Sequence, residues 1–190
     1  DHAWPTAGKA IDSGLRTVVF SPIGTAFTVN TAAPSKKVGG VIYSTDDFSQ
    51  PAYGMRMLAA AARLKAARVV VIRGNERKDT VHKQLGINLR FVPANTFTDL
   101  YNVTPESDEM RAIADQHLRG ATRVIGAERQ DVINGARSYV VARTILAQEQ
   151  ADGISMDCLG VLGPTKIALP CLAWSRLNDE GVPAGCEADL

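Results

Sequence analysis

The sequence has few aromatic residues and almost no excess of either charge, and both deficits narrow the classes of function. Phe, Trp and Tyr make up 6% of the 190 residues, which leaves few rings for stacking on nucleic-acid bases. The 21 basic and 20 acidic residues nearly cancel, to a formal net charge of +1. A surface that attracts phosphates or an anionic membrane is therefore not expected. We expect neither nucleic acid nor a membrane as a partner.

The chain also lacks long apolar runs and is poor in cysteine. No run approaches the roughly 20 residues of a membrane-spanning helix, and no signal peptide is recognisable. The three cysteines, Cys158, Cys171 and Cys186, have a spacing that fits no zinc-binding pattern. They stand in apolar surroundings, so we interpret them as small buried hydrophobic residues in a reducing compartment. A cytoplasmic protein is the corresponding expectation.

Glycine-rich phosphate-binding motifs are missing as well. Neither G-x-x-x-x-G-K-[ST] nor G-x-G-x-x-G follows any candidate strand, so an enzyme of nucleoside triphosphates or dinucleotides is not expected. What the chain does have is 45% hydrophobic residues, enough to bury a sizeable core.

Alternating strand and helix patterns predict the fold class. The continuous β-branched run Arg68–Arg73 predicts a strand, and the strand Val38–Ser44 and the Ala-rich helix Ala52–Ala67 precede it. This order predicts a βαβ unit in which the two strands pair in parallel. The other predicted strands are Leu15–Phe20, Ile87–Pro93, Thr122–Ile125, Gly153–Cys158 and Val182–Cys186. The other predicted helices are Thr80–Leu85, a short turn at Phe97–Asn102, Pro105–Arg119, Glu128–Gln150 and one from Pro170 that stops at Asn178–Gly181.

These elements predict an α/β fold with a mainly parallel, Rossmann-like sheet and helices on both faces. We expect residues 1–34 to form a small N-terminal lobe or lead-in, with residues 1–14 as a loop, and residues 35–190 to form the Rossmann-like domain. Because the chain starts without Met and stops just after two acids, we expect a fragment that lacks a C-terminal region.

Polar residues follow four of the predicted strands. They are Asp46 with Asp47, the loop Arg73–Lys78, Asp157, and Glu187 with Asp189. The carboxyl ends of parallel strands lie on one edge of a sheet, where α/β folds place ligands. Side chains two residues apart on a strand share a face, so we expect Glu187 and Asp189 to lie side by side. They are either a divalent-metal or acid/base site, or two solvated acids in the loop after a strand.

The loop after Arg68–Arg73 also has two interpretations. Its side chains Arg73, Asn75, Arg77 or Lys78 bind a substrate hydroxyl or an anion, or the loop is a solvated cap of the next helix. Carboxylates at the same edge would suit a hard cation such as Mn²⁺ or Mg²⁺.

The stretch Asn178–Asp189, N-D-E-G-V-P-A-G-C-E-A-D, resembles a turn and strand of the L-fucose isomerase family and its fucose isomerase-like relatives. A looser likeness covers Met156–Gly160 and Ser44–Asp47. The resemblance implies a cytoplasmic, homo-oligomeric aldose–ketose isomerase of carbohydrate metabolism that uses Mn²⁺ (or Mg²⁺) and a monosaccharide substrate. It implies Asp189 as a metal ligand and catalytic residue, with Glu187 beside it as the second catalytic carboxylate.

The sequence departs from the family at one ligand position. The family has a Glu ligand in a K-C-x-P-E pattern, and here Cys158 matches while Val161 stands at the Glu position. Asp157 is the candidate substitute, and the family's His ligand belongs to a C-terminal domain outside this chain. We therefore expect Asp189 and Asp157 as metal ligands. A sugar-binding module without catalysis and a related sugar epimerase remain alternatives.

The chemistry expected of such an isomerase needs few groups. The metal holds two adjacent sugar oxygens and stabilises the developing enediolate. A carboxylate moves the proton between neighbouring carbons, first as a base and then as an acid. The strand-end residues Arg73, Asn75 and Asp46 are the candidates for binding the substrate.

Overall fold

The computed structural model describes residues 3–161 and 167–190, and it divides into two compact units, Asp1–Leu64 and Lys65–Leu190. The described helices are α1 Ala3–Asp12, α2 Thr28–Thr31, α3 Ser49–Ala66, α4 Asn95–Val103, α5 Asp108–Gly120, α6 Arg129–Gln148 and α7 Cys171–Asp179. The described strands are β1 Thr17–Ser21, β2 Gly40–Ser44, β3 Arg68–Ile72, β4 Lys78–Val81, β5 Asn88–Val92, β6 Gly153–Met156 and β7 Ala184–Cys186. Short 3-10 helices occupy Pro34–Lys36 and Leu159–Val161.

The first unit is built on a two-stranded parallel sheet. Strands β1 and β2 pair in register from Thr17 opposite Gly40 to Ser21 opposite Ser44. This pairing joins residues on both sides of Pro34, and the compact unit extends to Leu64. Residues 3–12 are helix α1, not the expected loop, and the helix buries Ile11 against Gly40. A Pro in the first helical turn is compatible with a helix, because the amide hydrogen it lacks has no partner there.

The predicted βαβ unit is wrong. Strand β2 pairs with β1, whereas β3 lies between β5 and β6 in the sheet of the second unit. Helix α3 connects the two strands along the chain and crosses the division between the units. The order of strand, helix and strand favours parallel pairing, but it does not determine which strands become neighbours.

The second unit contains a five-stranded sheet in the order β4-β5-β3-β6-β7. Strands β5, β3, β6 and β7 are parallel, and β4 is antiparallel to β5. The expected α/β fold with a mainly parallel sheet is thus confirmed. The predicted helix Thr80–Leu85 is wrong, because Lys78–Val81 forms an edge strand that contains the β-branched Thr80 and Val81. The predicted strand Thr122–Ile125 is an irregular connection.

Side-chain alternation separates the two faces of this sheet. Val70, Ile72, Val92, Ile154 and Met156 face the helices and belong to one large core cluster. The helices α4, α5, α6 and α7 supply most of the rest of that cluster, including the fully buried Phe97, Met110, Ile145 and Leu177. The opposite face has a small cluster of Val71, Leu89 and Ala188, with Val69, Ile87 and Phe91 around it. No helical residue of the described second unit belongs to this small cluster, so helices on both faces are not shown.

The helices carry no membrane-spanning segment within residues 3–161 and 167–190. Each described helix is too short or too polar to cross a bilayer. The longest, α6, begins with a reciprocal capping box in which Asp131 accepts from the Glu128 amide at 2.8 Å. Its predicted span, Glu128–Gln150, is confirmed to within two residues at each end.

Candidate functional site

Strands β3 and β6 are neighbours from which the chain departs in opposite directions. After β3 it continues to β4 and β5 on one side, and after β6 it passes through α7 to β7 on the other. Such a switch point in a parallel sheet opens a crevice at the carboxyl ends of the two strands. The Asp157 amide still donates to the Ile72 carbonyl at 3.0 Å, so the strands remain paired up to the crevice.

Three of the predicted site residues follow adjacent strands on this edge. Arg73 comes directly after β3, Asp157 after β6 and Glu187 after β7. Neighbouring strands are about 4.8 Å apart, so these three backbone positions span about 10 Å across the sheet. Arg73 and Glu187 are exposed and Asp157 is half-buried. The strand order therefore brings these three residues to one edge.

A cleft of about 440 Å³ opens beside the end of β3, lined by Arg73, Gly74, Asn75, Glu76, Lys78 and Phe91. Gly74 has a φ of 63°, which a glycine adopts without steric cost as the chain turns from β3 toward β4. The Lys78 ammonium lies 5.7 Å from the centre of the Phe91 ring and 3.1 Å from the Glu76 carboxylate. The cleft thus combines a guanidinium, an amide, a carboxylate and an aromatic ring.

Two lining residues of this cleft carried no functional signal in the sequence. Phe91 is the apolar position of an alternating strand, and Glu76 is one charge among several in a loop. They join Arg73 and Asn75 because the chain reverses after β3 and returns as β4 alongside β5. Arg77 points elsewhere, since its guanidinium pairs with Glu149. The interpretation of this loop as a helix cap is wrong, because a strand follows it.

Asp46 follows a strand of a different sheet. It is an exposed residue after β2, which belongs to the two-stranded sheet of the first unit. Its neighbour Asp47 accepts hydrogen bonds from the Ser49 hydroxyl and the Ser49 amide, each at 2.8 Å. These bonds hold the start of α3 and lower the pKa of the Asp47 carboxyl, with the hydroxyl as the largest cause. The shared-edge argument therefore does not apply to Asp46.

The stretch Asn178–Asp189 forms a compact arrangement of helix end, strand and tight turn. The Asn178 side chain donates to the Ala184 carbonyl at 2.9 Å and accepts from the Ala184 amide at 3.1 Å, which ties α7 to the start of β7. Glu180 accepts from the Tyr139 hydroxyl at 2.8 and 2.9 Å. Gly181 has a φ of 80° just beyond the helix, as a C-terminal glycine often does. Several residues that carry the resemblance thus have structural roles here.

Glu187 and Asp189 do not share the face of a strand. Strand β7 ends at Cys186, and Glu187 and Ala188 have φ values of 59° and 55°. The Asp189 amide donates to the Cys186 carbonyl at 3.0 Å, so the four residues form a tight turn of the kind that has two left-handed central residues. The predicted alternation is therefore wrong, because it assumed a strand that continued to Asp189.

The turn folds the end of the chain back onto the second face of the sheet. Ala188 packs in the cluster with Val71 and Leu89, and its amide donates to the Met156 carbonyl at 2.9 Å. The buried Ser155 hydroxyl donates to the carbonyl of Asp189 at 2.8 Å. The backbone at Asp189 therefore stays close to β6, although it has left the edge where Glu187 lies.

Asp189 is one of the residues that line a second cleft, of about 320 Å³. Most of the other lining side chains are apolar, with His82, Ser155 and Asn178 as polar exceptions. Val69 and Ile87 line it from the amino ends of β3 and β5, so this cleft extends toward the other edge of the sheet. The structure thus places Asp189 in a different cleft from Arg73 and Asn75.

The described carboxylates do not fit a metal site by themselves. Asp157 accepts from the Gly160 amide at 3.2 Å, which starts the short 3-10 helix that ends at Val161. Within residues 3–161 and 167–190, no group of three or more His, Cys, Asp or Glu side chains is placed to hold a metal ion. Residues 1, 2 and 162–166 lie outside the description; Asp1 and His2 are of these types, whereas the stretch LGPTK contains none of them. Asp157 and Asp189 are therefore at most part of a donor set for Mn²⁺ or Mg²⁺.

Cys158 and Cys186 lie near the carboxyl ends of β6 and β7, and Cys171 is the first residue of α7. Burial, followed by the nearby Cys158 and Cys171 thiols, raises the pKa of Cys186. Cys158 is buried, whereas Cys171 and Cys186 are exposed, so the expectation of three buried cysteines is wrong for two of them. The spacing of Cys158 and Cys186 along the chain carried no signal, because only the pairing of β6 with β7 brings their backbones near each other.

No protein-family model matches the chain, and no curated protein matches it at a significant level. The evidence for function is therefore the carboxyl edge of the sheet and the clefts beside it.

Proposed function

We propose that this chain binds a monosaccharide at the carboxyl edge of its five-stranded sheet, as part of an aldose–ketose isomerase-like protein. The observation that carries the proposal is the switch point between β3 and β6, with the Arg73 cleft on one side and Asp157 on the other. A crevice at such a point is where parallel α/β sheets bind their ligands. The proposal includes the Rossmann-like description of the sheet, which its four parallel strands and its switch point support.

The chemistry of the cleft suits a sugar. A monosaccharide presents hydroxyl groups around its rim and apolar C–H groups on its faces. Arg73 and Asn75 donate to hydroxyl oxygens, Glu76 accepts from hydroxyl groups, and the Phe91 ring offers an apolar surface. A volume of about 440 Å³ lies within the ordinary range of small-molecule sites. The near-neutral net charge of the chain agrees with an uncharged ligand.

Glu187 is the carboxylate to which we assign proton transfer; it follows β7, on the same edge and two strands away from β3 and the Arg73 cleft. In an aldose–ketose interconversion, a base removes the proton from C2 and returns a proton to C1. The carbonyl oxygen at C1 gains a proton and the hydroxyl at C2 loses one, so the net change is an isomerisation. A carboxylate that acts first as a base and then as an acid is sufficient for the carbon-to-carbon transfer.

A divalent cation would need further donor groups, beyond the described residues, to bind here. Asp157 and Asp189 are the donors that this chain would contribute, because their backbones lie close together beside β6. No step of the proton transfer is assigned to the ion. Calorimetric titration of the full chain with Mn²⁺ measures the affinity that these donors provide. Asp189→Asn should weaken any saturable binding.

Sugar binding is tested on the full chain by calorimetry with a panel of aldoses and ketoses. We expect Arg73→Ala to weaken binding of the preferred sugar at least about tenfold, the effect of one lost charged hydrogen bond. Arg123→Ala is the matched control, because Arg123 is exposed in the connection after α5. Its affinity should equal that of the wild type. Equal affinities of the wild type and Arg73→Ala, or no binding of any sugar, would contradict the proposal.

Isomerisation is tested by NMR in deuterated water, where proton transfer leaves deuterium on the product carbon. Glu187→Gln should still bind sugar but should slow the exchange by about 10²- to 10⁴-fold, the usual contribution of a general base. Product identity separates an aldose–ketose isomerase from an epimerase, which returns a sugar of the same carbonyl type. Unchanged exchange in Glu187→Gln would remove Glu187 from the mechanism.

A non-catalytic sugar-binding module is the second candidate. The incomplete donor set favours it, since no group of three metal-binding side chains is placed together in the part of the chain that the structure describes. A module would bind sugar through Arg73 and Asn75 without any exchange of carbon-bound hydrogen. Saturable sugar binding together with no deuterium incorporation would decide for the module.

A further inference from the structure

Helix α3 carries an apolar stripe that is exposed to solvent, and we call its four residues the α3 stripe. Tyr53, Met57 and Leu64 are 54%, 53% and 40% exposed, and Ala60 is exposed as well. They follow one another at intervals of four, three and four residues, which keeps them on one side of the helix over about 16 Å. The same spacing forms the seam by which two helices pair in a coiled coil. The α3 stripe therefore has the geometry of a helix-pairing surface.

The two flanks of the α3 stripe differ in what covers them. On one flank, Gly54 is buried against the ring of Tyr43 in β2, so the helix lies on the sheet of its own unit there. On the other flank are Arg56 and Arg63, seven residues apart and both exposed. The Arg56 guanidinium lies 5.8 Å from the centre of the Tyr53 ring. Because α3 contains no acidic residue, the helix presents only positive charge beside the stripe.

We propose that the α3 stripe binds an acidic amphipathic helix of another protein. Apolar side chains of that helix, at the same spacing of three and four residues, pack against Tyr53, Met57 and Leu64. Its Glu or Asp side chains beside the seam pair with Arg56 and Arg63, as charged residues that flank a coiled-coil seam do. Burial of the apolar side chains supplies the affinity, and the charges select the partner.

A second copy of this chain fits the stripe less well because of its charges. In an antiparallel pair that sets Met57 against Ala60, Arg56 of one copy lies beside Arg63 of the other. In a parallel pair, the exposed Asp46 that precedes α3 comes near its counterpart. Each arrangement places like charges together, whereas an acidic helix places opposite charges together. A membrane surface is matched by a broader apolar face with more basic residues than two arginines on one flank.

The inference is independent of the proposed sugar binding. The α3 stripe belongs to the first unit, and the residues that line the Arg73 cleft belong to the second. Binding of a helix can therefore fail while binding of a sugar holds, and the reverse.

The test uses the full chain and two fluorescently labelled peptides, with binding measured by fluorescence anisotropy. Each peptide has about three heptads with Leu at the a and d positions. One peptide has Glu at the flanking e and g positions, and the other has Lys there. Like charges keep each peptide from pairing with itself. We expect the Glu peptide to bind saturably with a Kd below about 100 μM, and the Lys peptide to bind at least about tenfold more weakly.

Two methionines of α3 give a matched pair of variants. Met57 lies in the stripe, whereas Met55, which is 60% exposed, lies on the opposite side of the helix. Both changes to Glu alter the net charge equally. Met57→Glu should weaken binding of the Glu peptide at least about tenfold, and Met55→Glu should leave it within about twofold. Combined Arg56→Glu and Arg63→Glu should reverse the preference in favour of the Lys peptide. Far-UV circular dichroism checks that each variant is folded.

Several outcomes would overturn the proposal. It fails if neither peptide binds, if the Glu and Lys peptides bind equally, or if Met55→Glu weakens binding as much as Met57→Glu. Sedimentation of the chain alone adds a further arm, because a dimer that Met57→Glu dissociates would assign the stripe to a second copy. Binding to phosphatidylserine vesicles without binding to the Glu peptide would assign it to a membrane instead.

Discussion

The five-stranded sheet has a helix-bearing face and a carboxyl edge, and the two differ in what their side chains do. On the face, Phe97, Ile145 and Leu177 are almost completely buried among residues from four helices and three strands. At the edge, Arg73 and Glu187 are exposed, and Asp157 is half-buried. One region removes apolar surface from water, and the other presents polar groups to it.

The difference shows that stability and the candidate site lie in separate parts of one sheet. Burial of an aliphatic side chain stabilises a fold by a few kcal/mol, whereas exposed polar residues usually contribute within about 0.5 kcal/mol. Substitutions on the face should therefore act on folding, and substitutions at the edge should act on ligand binding. Three changes, from the largest expected effect to the smallest, show whether this separation holds.

Ile145→Ala tests the face. Ile145 is fully buried in α6, so its truncation should lower the free energy of unfolding by about 2–5 kcal/mol through lost burial and a residual cavity. Ile125→Ala is the matched control, because Ile125 is 73% exposed. Its effect should stay within about 0.5 kcal/mol. Urea unfolding followed by circular dichroism measures both, and equal effects would mean that the face does not hold the fold as described.

Glu149→Gln tests a charged group at the margin of the face. Burial alone raises the pKa of Glu149, but hydrogen bonds from Arg77 and Arg90 outweigh it and lower the pKa below its usual 4.5. The Arg90 Nε to Glu149 Oε2 distance is 3.0 Å. The Gln variant should lose about 1–3 kcal/mol at neutral pH, the range for hydrogen bonds to charged groups.

The sign of the pH dependence follows from the lowered pKa of Glu149. Its carboxylate stabilises the fold above its ordinary pKa, and this stabilisation is lost as the pH falls through the lower pKa of the folded state. The difference between wild type and Glu149→Gln should thus shrink on acidification. Glu109→Gln, whose ion pair with Arg143 is half-exposed on both sides, should change stability by under about 1 kcal/mol. A Glu149 difference that grows at low pH would contradict the assigned network.

Glu187→Gly tests the edge and should have the smallest effect, of opposite sign. Glu187 has a φ of 59°, a conformation that costs a residue with a side chain about 1 kcal/mol relative to glycine. The Gly variant should therefore be up to about 1 kcal/mol more stable than the wild type. Glu187→Gln keeps the side chain and removes only the charge, so its stability should stay within about 0.5 kcal/mol. A destabilised Glu187→Gly would mean that the Glu187 side chain supports the fold.

Local patterns predicted many elements of the second unit. The β-branched run of β3, the alternation of β5 and the long periodic helix α6 agree with the structure to within about two residues. Strand β4 was missed because its four residues, KDTV, are too few for a pattern and stand between charged residues. Helix α1 was missed because Pro5, Gly8 and Gly14 suggested a loop, although Pro5 lies in the first turn and Gly14 lies beyond the helix.

The sequence predicted only those site residues whose positions follow from the order of the strands in the sheet. Arg73, Asp157 and Glu187 follow strands that are indeed adjacent and parallel, so their meeting at one edge was accessible from the chain. Asp46 was grouped with them because nothing in the sequence shows that β2 joins a different sheet. Asp189 was paired with Glu187 because a strand was assumed to continue. Nothing in the sequence predicts the left-handed conformation of Glu187 and Ala188, because residues with a side chain normally avoid it.

By itself the sequence determined the α/β class, the length of the main helix and the polar character of the strand ends. These properties depend on hydrophobic periodicity and local propensity, which act over a few neighbouring residues. The tertiary structure alone decided which strands pair, that Cys186 lies in register with Met156, and that Asp189 turns away from the edge where Glu187 lies. Each of these depends on contacts between distant segments, whose free energies depend on the packing of the whole unit and not on any one stretch of chain.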